Sequence, residues 1–308
     1  PGYLEMPIKK GESIIFTASL REKEPALLKP LMEEEMAKAA PHDSLYHCLV
    51  HAAHQFRVQK EGEEYILAGY PWFKSRARDL FIALPGLTLS IGETEAFETY
   101  MRTAEKALRN LINNEPISVD IHEMEQPDTV LWAVWCIQQY GKYVGRQKCY
   151  EKYGALLKDL AKYVINGGHS NLFLHDNGLL YSNGRDKAVT WMNSTYNGRP
   201  ITPRSGYIVE FNALWYNAVK FYQQMLSETP GPENDIYASE CEELAQKIQK
   251  SFKDVFLNEH GYLLDYVDGQ MQDWSVRPNQ IFAIALDFSP LDLKERKRVL
   301  DICTRELV

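Results

Sequence analysis

Two stretches of the 308-residue chain gather side chains that could act on a neutral, hydroxyl-rich ligand. In "GYPWFKSRARDLFIALPGL", Trp72, Phe73, Arg76, Arg78 and Asp79 stand just ahead of an apolar run with helical spacing. An adjacent Arg and Asp can give and accept hydrogen bonds on neighbouring hydroxyls, while Trp72 offers a flat apolar face to a sugar ring. In "TWMNSTYNGRPITPRSGYIVEFNALWYNA", from Thr190 to Ala218, a loop carrying Trp191, Asn193 and Arg204 runs into an amphipathic helix whose start holds Glu210. Asp128 with Trp132 in "QPDTVLW", and Arg277 with Asn279 and Gln280 in "SVRPNQ", occupy comparable helix entrances. Alone, the Arg78–Asp79 group reads equally as a helix cap with an ion pair, and each of the others reads more often as a helix cap or a core aromatic than as a ligand contact. Their recurrence at helix mouths points to a shared ligand.

Other chemistries find little support. His47, His51 and His54 in "HCLVHAAH" share a helical face, but His54 lies two turns from His47, too far along for all three to hold one ion. No metal is expected. Neither phosphate-cradling glycine pattern nor the serine-nucleophile elbow occurs, so no nucleotide cofactor or serine hydrolase is read. A net charge of -8 and a pI near 5.6 disfavour nucleic acid and anionic membranes as partners. No apolar run approaches the roughly 20 residues that span a bilayer. The five cysteines are odd in number and scattered, without a C-x-x-C pair, which favours a reducing compartment and a cytoplasmic location. Asn193-Ser194-Thr195 matches a glycosylation sequon, an accidental match if the loop lines a pocket in a cytosolic protein.

The elements that must position these residues read as helices. With 45% hydrophobic and 25% charged residues the chain can bury a large core. Gly11 to Ser19, rich in Ile, Phe and Thr, reads as a short strand, the tail of a preceding β domain over residues 1–20. From residue 21 the pattern turns helical, through "PALLKPLMEEEMAKAA" and "DSLYHCLVHAAHQFRV", with Asp43 and Ser44 placed to cap the second. Further helices are expected near 79–91, 94–113, 128–143, 149–165, 208–225, 236–256, 278–286 and 291–307. No long central strand is read, so a parallel-sheet fold is disfavoured. The long connector from Asn166 to Tyr207 is read as a functional loop. Paired helices with sugar-type residues in one set of loops suggest a toroid of helical hairpins with a pocket at one end.

Four stretches in order, "GYPWFKSRARDLFIALPGL", "PDTVLWAVWCIQQY", "TWMNSTYNGRPITPRSGYIVEFNALWYNA" and "SVRPNQIFAIAL", resemble the amylo-α-1,6-glucosidase part of glycogen debranching enzymes. The resemblance spans about Tyr65 to Leu286. It implies an all-α (α/α)6 toroid over residues 21–308, related to glucoamylase. The implied activity is inverting hydrolysis of α-1,6-linked glucose at branch points of glycogen or limit dextrin. Arg78 and Asp79 match the pair that grips the terminal glucose, and Asp128, Trp191, Arg204, Glu210 and the Arg277-Pro278-Asn279-Gln280 loop match other pocket positions. The family's general acid is expected at the residue after "TWM".

Here that residue is Asn193, and an amide has no proton to deliver at neutral pH. Inverting hydrolysis takes an acid on the leaving oxygen and a base across the ring, with carboxyls roughly 6.5–9.5 Å apart. Glu210 is the candidate replacement acid and Asp186 the other nearby carboxylate. The family's base lies in later helices, so the reading expects the toroid to be incomplete at its C-terminal end and the base to lie outside this chain. Apolar flanks left open would favour a homodimer. A catalytically silent relative that binds glycogen or malto-oligosaccharides is the alternative, and a helical scaffold without sugar affinity a third reading.

Overall fold

The structure, a computed structural model, describes residues 3, 5–19, 21–39, 41–70, 72–229 and 231–308. They fall into two compact units, residues 1–55 and Phe56–Val308, whereas the sequence reading set its division after residue 20. The first unit holds α1 (Pro25–Lys38) and α2 (Leu45–Gln55). The Ser44 hydroxyl accepts the His47 backbone N–H at 3.2 Å, as a cap should, and Asp43 pairs with the His47 ring. Among the described residues no group of three or more His, Cys, Asp or Glu could hold a metal ion. Gly11–Ser19 takes no strand assignment among the described residues; the Ile, Phe and Thr content that predicted one is a propensity, and a strand exists only through a ladder with a neighbour.

The second unit is built from α3 (Ala77–Thr88), α4 (Thr94–Ile112), α5 (Thr129–Val144), α6 (Arg146–Ile165), α7 (Val209–Glu228), α8 (Pro232–Phe256), α9 (Phe282–Ala285) and α10 (Leu293–Leu307). Helices α3, α5, α7 and α9 touch in succession, and each packs against the helix that follows it. The result is an arc of α/α hairpins with an inner and an outer row. Burial follows the rows. Every residue of α7 from Val209 to Val219 is buried, and its polar members Glu210, Asn212 and Asn217 are each hydrogen-bonded, as buried polar groups must be. In α4, Phe97, Met101, Ala104 and Leu108 form one buried stripe on an otherwise polar helix. The rows are joined by an aromatic stack of Phe97 on Tyr140 at 4.9 Å, with Tyr153 edge-on to Tyr140 at 5.4 Å. A reciprocal amide pair, Gln138 with Asn217 at 3.3 and 2.7 Å, ties α5 to α7.

Helix positions agree with the sequence pattern to within a few residues, but two regions differ. The second predicted helix stops at Gln55, and Arg57–Lys60 pairs with Glu63–Ile66 as a hairpin. Glu61 and Gly62 both have positive φ, the conformation a two-residue hairpin turn needs, which the helical reading of "HQFRV" overlooked. The long connector is not loop alone. Phe173–Leu174, Leu180–Ser182 and Gly206–Ile208 join Tyr266–Asp268 and Met271–Gln272 in a five-stranded antiparallel sheet. Strands of two or three residues are too short to show alternation in sequence. Asn212 of α7 holds the sheet by accepting from the Leu180 N–H at 2.7 Å and donating to the Leu180 and Ile208 carbonyls at 3.1 and 3.0 Å. Two glycines allow the close approach: a Cβ at Gly184 would stand 1.9 Å from the Arg204 carbonyl oxygen, and one at Gly206 2.2 Å from that of Val267.

His169 anchors the root of the connector to the segment ahead of α5. Its Nε2 lies 3.0 Å from the Glu125 carbonyl and its Nδ1 accepts the Asn171 N–H at 2.9 Å, so the ring is neutral with the proton on Nε2. Burial pushes the imidazole below its ordinary 6.5, against the upward pull of the Glu125 carbonyl. The unfolded chain therefore binds this proton more readily. The stability contributed by neutral His169 is complete above about pH 6.5 and is lost as pH falls below it, by at most about 1.4 kcal/mol per pH unit. Urea unfolding between pH 7.5 and 5.5 should show this decline, and His169→Gln should flatten it.

Candidate functional site

The N-terminal ends of the inner helices converge on a cavity of ≈ 710 Å3. Its wall takes Arg78, Asp79, Ile82 and Ala83 from the start of α3, Asp128 and Trp132 from that of α5, and Glu210 from that of α7. Pro278, Asn279, Ile281 and Phe282 come from the turn leading into α9, Trp191 from the connector, and Phe56, Leu67 and Ala68 from the hairpin strands and their ends. Asp79 and Glu210 lie in first turns and Asp128 at an N-cap position, where the helix macrodipole favours negative charge. Asp128, the N-cap residue of α5, makes no side-chain hydrogen bond to its own helix end. The capping explanation for Asp128 is thereby removed.

Two buried arginine clamps hold the polar part of the wall. Arg78 donates from Nε and Nη2 to the two oxygens of Asp128 at 2.6 and 2.8 Å, and Trp132 Nε1 adds a donor to the same carboxylate at 3.2 Å. The remaining guanidinium protons of Arg78 stay free for a hydroxyl. Asp79, exposed beside it, accepts no hydrogen bond from any described residue. Arg204, only 2% exposed, spans Glu210 and Asp265. It donates from Nη1 and Nη2 to the two Glu210 oxygens, the second at 2.6 Å, and from Nε and Nη2 to the Asp265 oxygens at 2.7 and 2.9 Å. Burial pushes the Glu210 carboxyl up, Arg204 opposes, and the like charge of Asp265 adds to a net rise.

Of the residues expected at the site, Arg78, Asp79, Asp128, Trp132, Trp191, Glu210 and Asn279 meet at this cavity. The Trp191 indole N–H donates to Asn279 Oδ1 at 2.8 Å, which fixes the ring at the mouth. Arg204 and Gln280 are buried outside the wall, Gln280 accepting the Leu263 N–H at 3.2 Å. Arg277 donates from Nη1 to Asp265 and Asp273 at 2.6 and 2.8 Å. Asn193 is half-buried and Asp186 exposed, and neither is among the lining residues. Trp72 is 83% exposed and also outside the wall. The aromatic surface expected of it is supplied by Trp132, with Phe282 packed edge-on at 5.3 Å. Sequence reasoning passed over Asp265, whose one signal was a lone acid between "GYLL" and "YV".

The arrangement predicts unequal costs for two carboxylates of one cavity wall. Asp128→Ala strands a buried guanidinium and should lower the unfolding free energy by about 3–5 kcal/mol. Asp79→Ala removes an exposed group and should cost no more than about 1 kcal/mol of helix-end electrostatics. Parallel urea titrations of the two variants check the contrast.

Residues 50–308 match the family model for amylo-α-1,6-glucosidase. No curated protein matches the chain. Among solved structures, a metal-independent α-mannosidase of Streptococcus pneumoniae, in a non-productive complex with α-1,6-mannobiose, is similar over 90% of this chain and 77% of its own. The TM-score is 0.49 and the identity 12%. On the family match, which takes in the cavity and all four inner helices, the chain belongs to the amylo-α-1,6-glucosidase family, a family of glycosidases.

Proposed function

We propose that the protein is a debranching glycoside hydrolase that removes α-1,6-linked glucose from branch points of glycogen or limit dextrin, with inversion. The observation that carries this reading is the pairing at the cavity of a fixed donor with a free acceptor. Arg78 is locked by Asp128 but keeps protons to spare, and Asp79 next to it has both oxygens open. Neighbouring hydroxyls of a terminal glucose suit that pair, with Trp132, Trp191 and Phe282 as apolar surface against the ring. A cytoplasmic location is part of the proposal, in keeping with five free cysteines.

Glu210 is our candidate for the proton donor. Asp128 is held as an acceptor by Arg78 and Trp132, and Asp79 is exposed; Glu210 is the carboxyl at the wall that burial pushes upward, the direction a general acid requires. It would place its proton on the leaving glycosidic oxygen as the bond to the anomeric carbon breaks. Inversion further takes a base that draws a proton from water on the opposite face of the ring.

A second reading, a glucan-binding relative without activity, is favoured by Asn193, an amide where the family's acid is expected, and by the occupation of both Glu210 oxygens by Arg204. Glucose release from a branched limit dextrin separates the two. The enzyme reading predicts release by the wild type and a loss of roughly 10²–10⁴-fold in Glu210→Gln with maltotriose binding retained. Binding without release by the wild type supports the silent relative. Asn193 lies outside the cavity wall, so Asn193→Asp should leave the rate within about threefold; a large gain would mean that the protein has lost an acid at that position.

A further inference from the structure

Asp265 does not line the cavity itself, yet side chains that do line it depend on it. It is 2% exposed and directly precedes the Tyr266–Asp268 strand. Its backbone is fixed on both sides: the carbonyl accepts the N–H of Val209, first residue of α7, at 3.1 Å, and the N–H donates to the Asp273 carbonyl at 2.9 Å. Four donors fill its carboxylate. Oδ1 accepts from Arg204 Nη2 at 2.9 Å and Asn279 Nδ2 at 2.8 Å, and Oδ2 from Arg204 Nε at 2.7 Å and Arg277 Nη1 at 2.6 Å. The two branches lead to two different lining residues. Arg204 continues to both oxygens of Glu210, and Asn279 turns its own oxygen to the Trp191 indole at 2.8 Å.

We infer that Asp265 is a positioning residue that sets two walls of the cavity together, the Glu210 carboxyl through Arg204 and the Trp191 ring through Asn279. The inference deepens the reading of the cavity as a glucan site and rests on it. A carboxylate filled by four donors fixes the guanidinium plane, and the plane fixes the Glu210 carboxyl. The same anchor fixes which way the Asn279 amide faces, since its N–H2 must point to Asp265 and its oxygen to Trp191. The charge on Asp265 also acts on Glu210. The charged groups facing Glu210 are Arg204 and Asp265 behind it, Arg277 and Asp273 beyond them, and Arg78, Asp79 and Asp128 elsewhere on the cavity wall. Neutralising Asp265 removes a like charge and leaves Arg204 with Glu210 as its one counter-charge, which favours the ionised form of Glu210.

The test compares wild type, Asp265→Asn and Asn279→Ala by maltotriose affinity, read from tryptophan fluorescence, and by the pH profile of kcat/KM for glucose release. Asp265→Asn should weaken maltotriose binding by about tenfold, the loss expected of a displaced ring and carboxyl. It should also move the alkaline limb of the profile to lower pH, a change that packing alone would not produce. Asn279→Ala cuts one branch only: affinity should fall by at least about fivefold while the limb stays in place. A folded Asp265→Asn protein with unchanged affinity and an unmoved limb overturns the inference. If Asp265→Asn does not fold, Asn279→Ala decides alone, and unchanged affinity there overturns it. If the wild type releases no glucose, the enzyme reading fails, while the affinities still test the positioning role.

Discussion

The structure turns on one buried guanidinium. Arg204 sits between Glu210 and Asp265 where water does not reach, and an unpaired charge in that position is among the costliest things a fold can hold. The arrangement is tolerable because the two carboxylates and the guanidinium saturate one another's hydrogen bonds. It also joins parts of the chain far apart in sequence: the end of the long connector, the first turn of α7, and the strand that leads to the α9 turn. Gly184 and Gly206 serve the same end, since a side chain at either would collide with the backbone of Arg204 or of Val267. The short sheet is the frame that brings these segments together.

Around this anchor the inner helices aim their N-termini at one space. Carboxylates collect there because the helix ends favour them, but each is kept in a different state. Asp128 is committed to Arg78 and Trp132, Glu210 is committed to Arg204 and deeply buried, and Asp79 is open to a ligand. That difference in commitment separates residues that hold the wall from those that can meet a sugar. The strain between the two readings of function lies in Glu210, whose burial suits a proton donor and whose arginine partner suits a fixed acceptor.

Much of this was legible in the sequence. Helix positions followed from apolar spacing, and the pairing of Arg78 with Asp79 at a helix mouth was visible as a local juxtaposition. The family resemblance carried Asp128, Trp191, Glu210 and Asn279 to a common place, and the cavity holds all four. The hairpin at Glu61 and Gly62 was a local turn signal overlooked, whereas the misses at the site depend on partners distant in the chain. Trp72 looked like a sugar platform because an exposed and a pocket-facing tryptophan read alike in sequence. Asp265 looked like an ordinary acid because the residues that make it central, Arg204, Arg277 and Asn279, reach it only through the sheet and the α9 turn. The sheet itself is made of pieces too short to carry a period.

The claim on which the account rests is that the cavity receives a terminal glucosyl unit between the Arg78–Asp79 pair and the aromatic wall. A crystal structure of the protein soaked with maltotriose tests it most directly. The account predicts a glucosyl ring inside the cavity, with hydroxyls within hydrogen-bond reach of Arg78 and Asp79 and a ring face against Trp132 or Trp191. An empty cavity with the oligosaccharide seated elsewhere on the protein would contradict it.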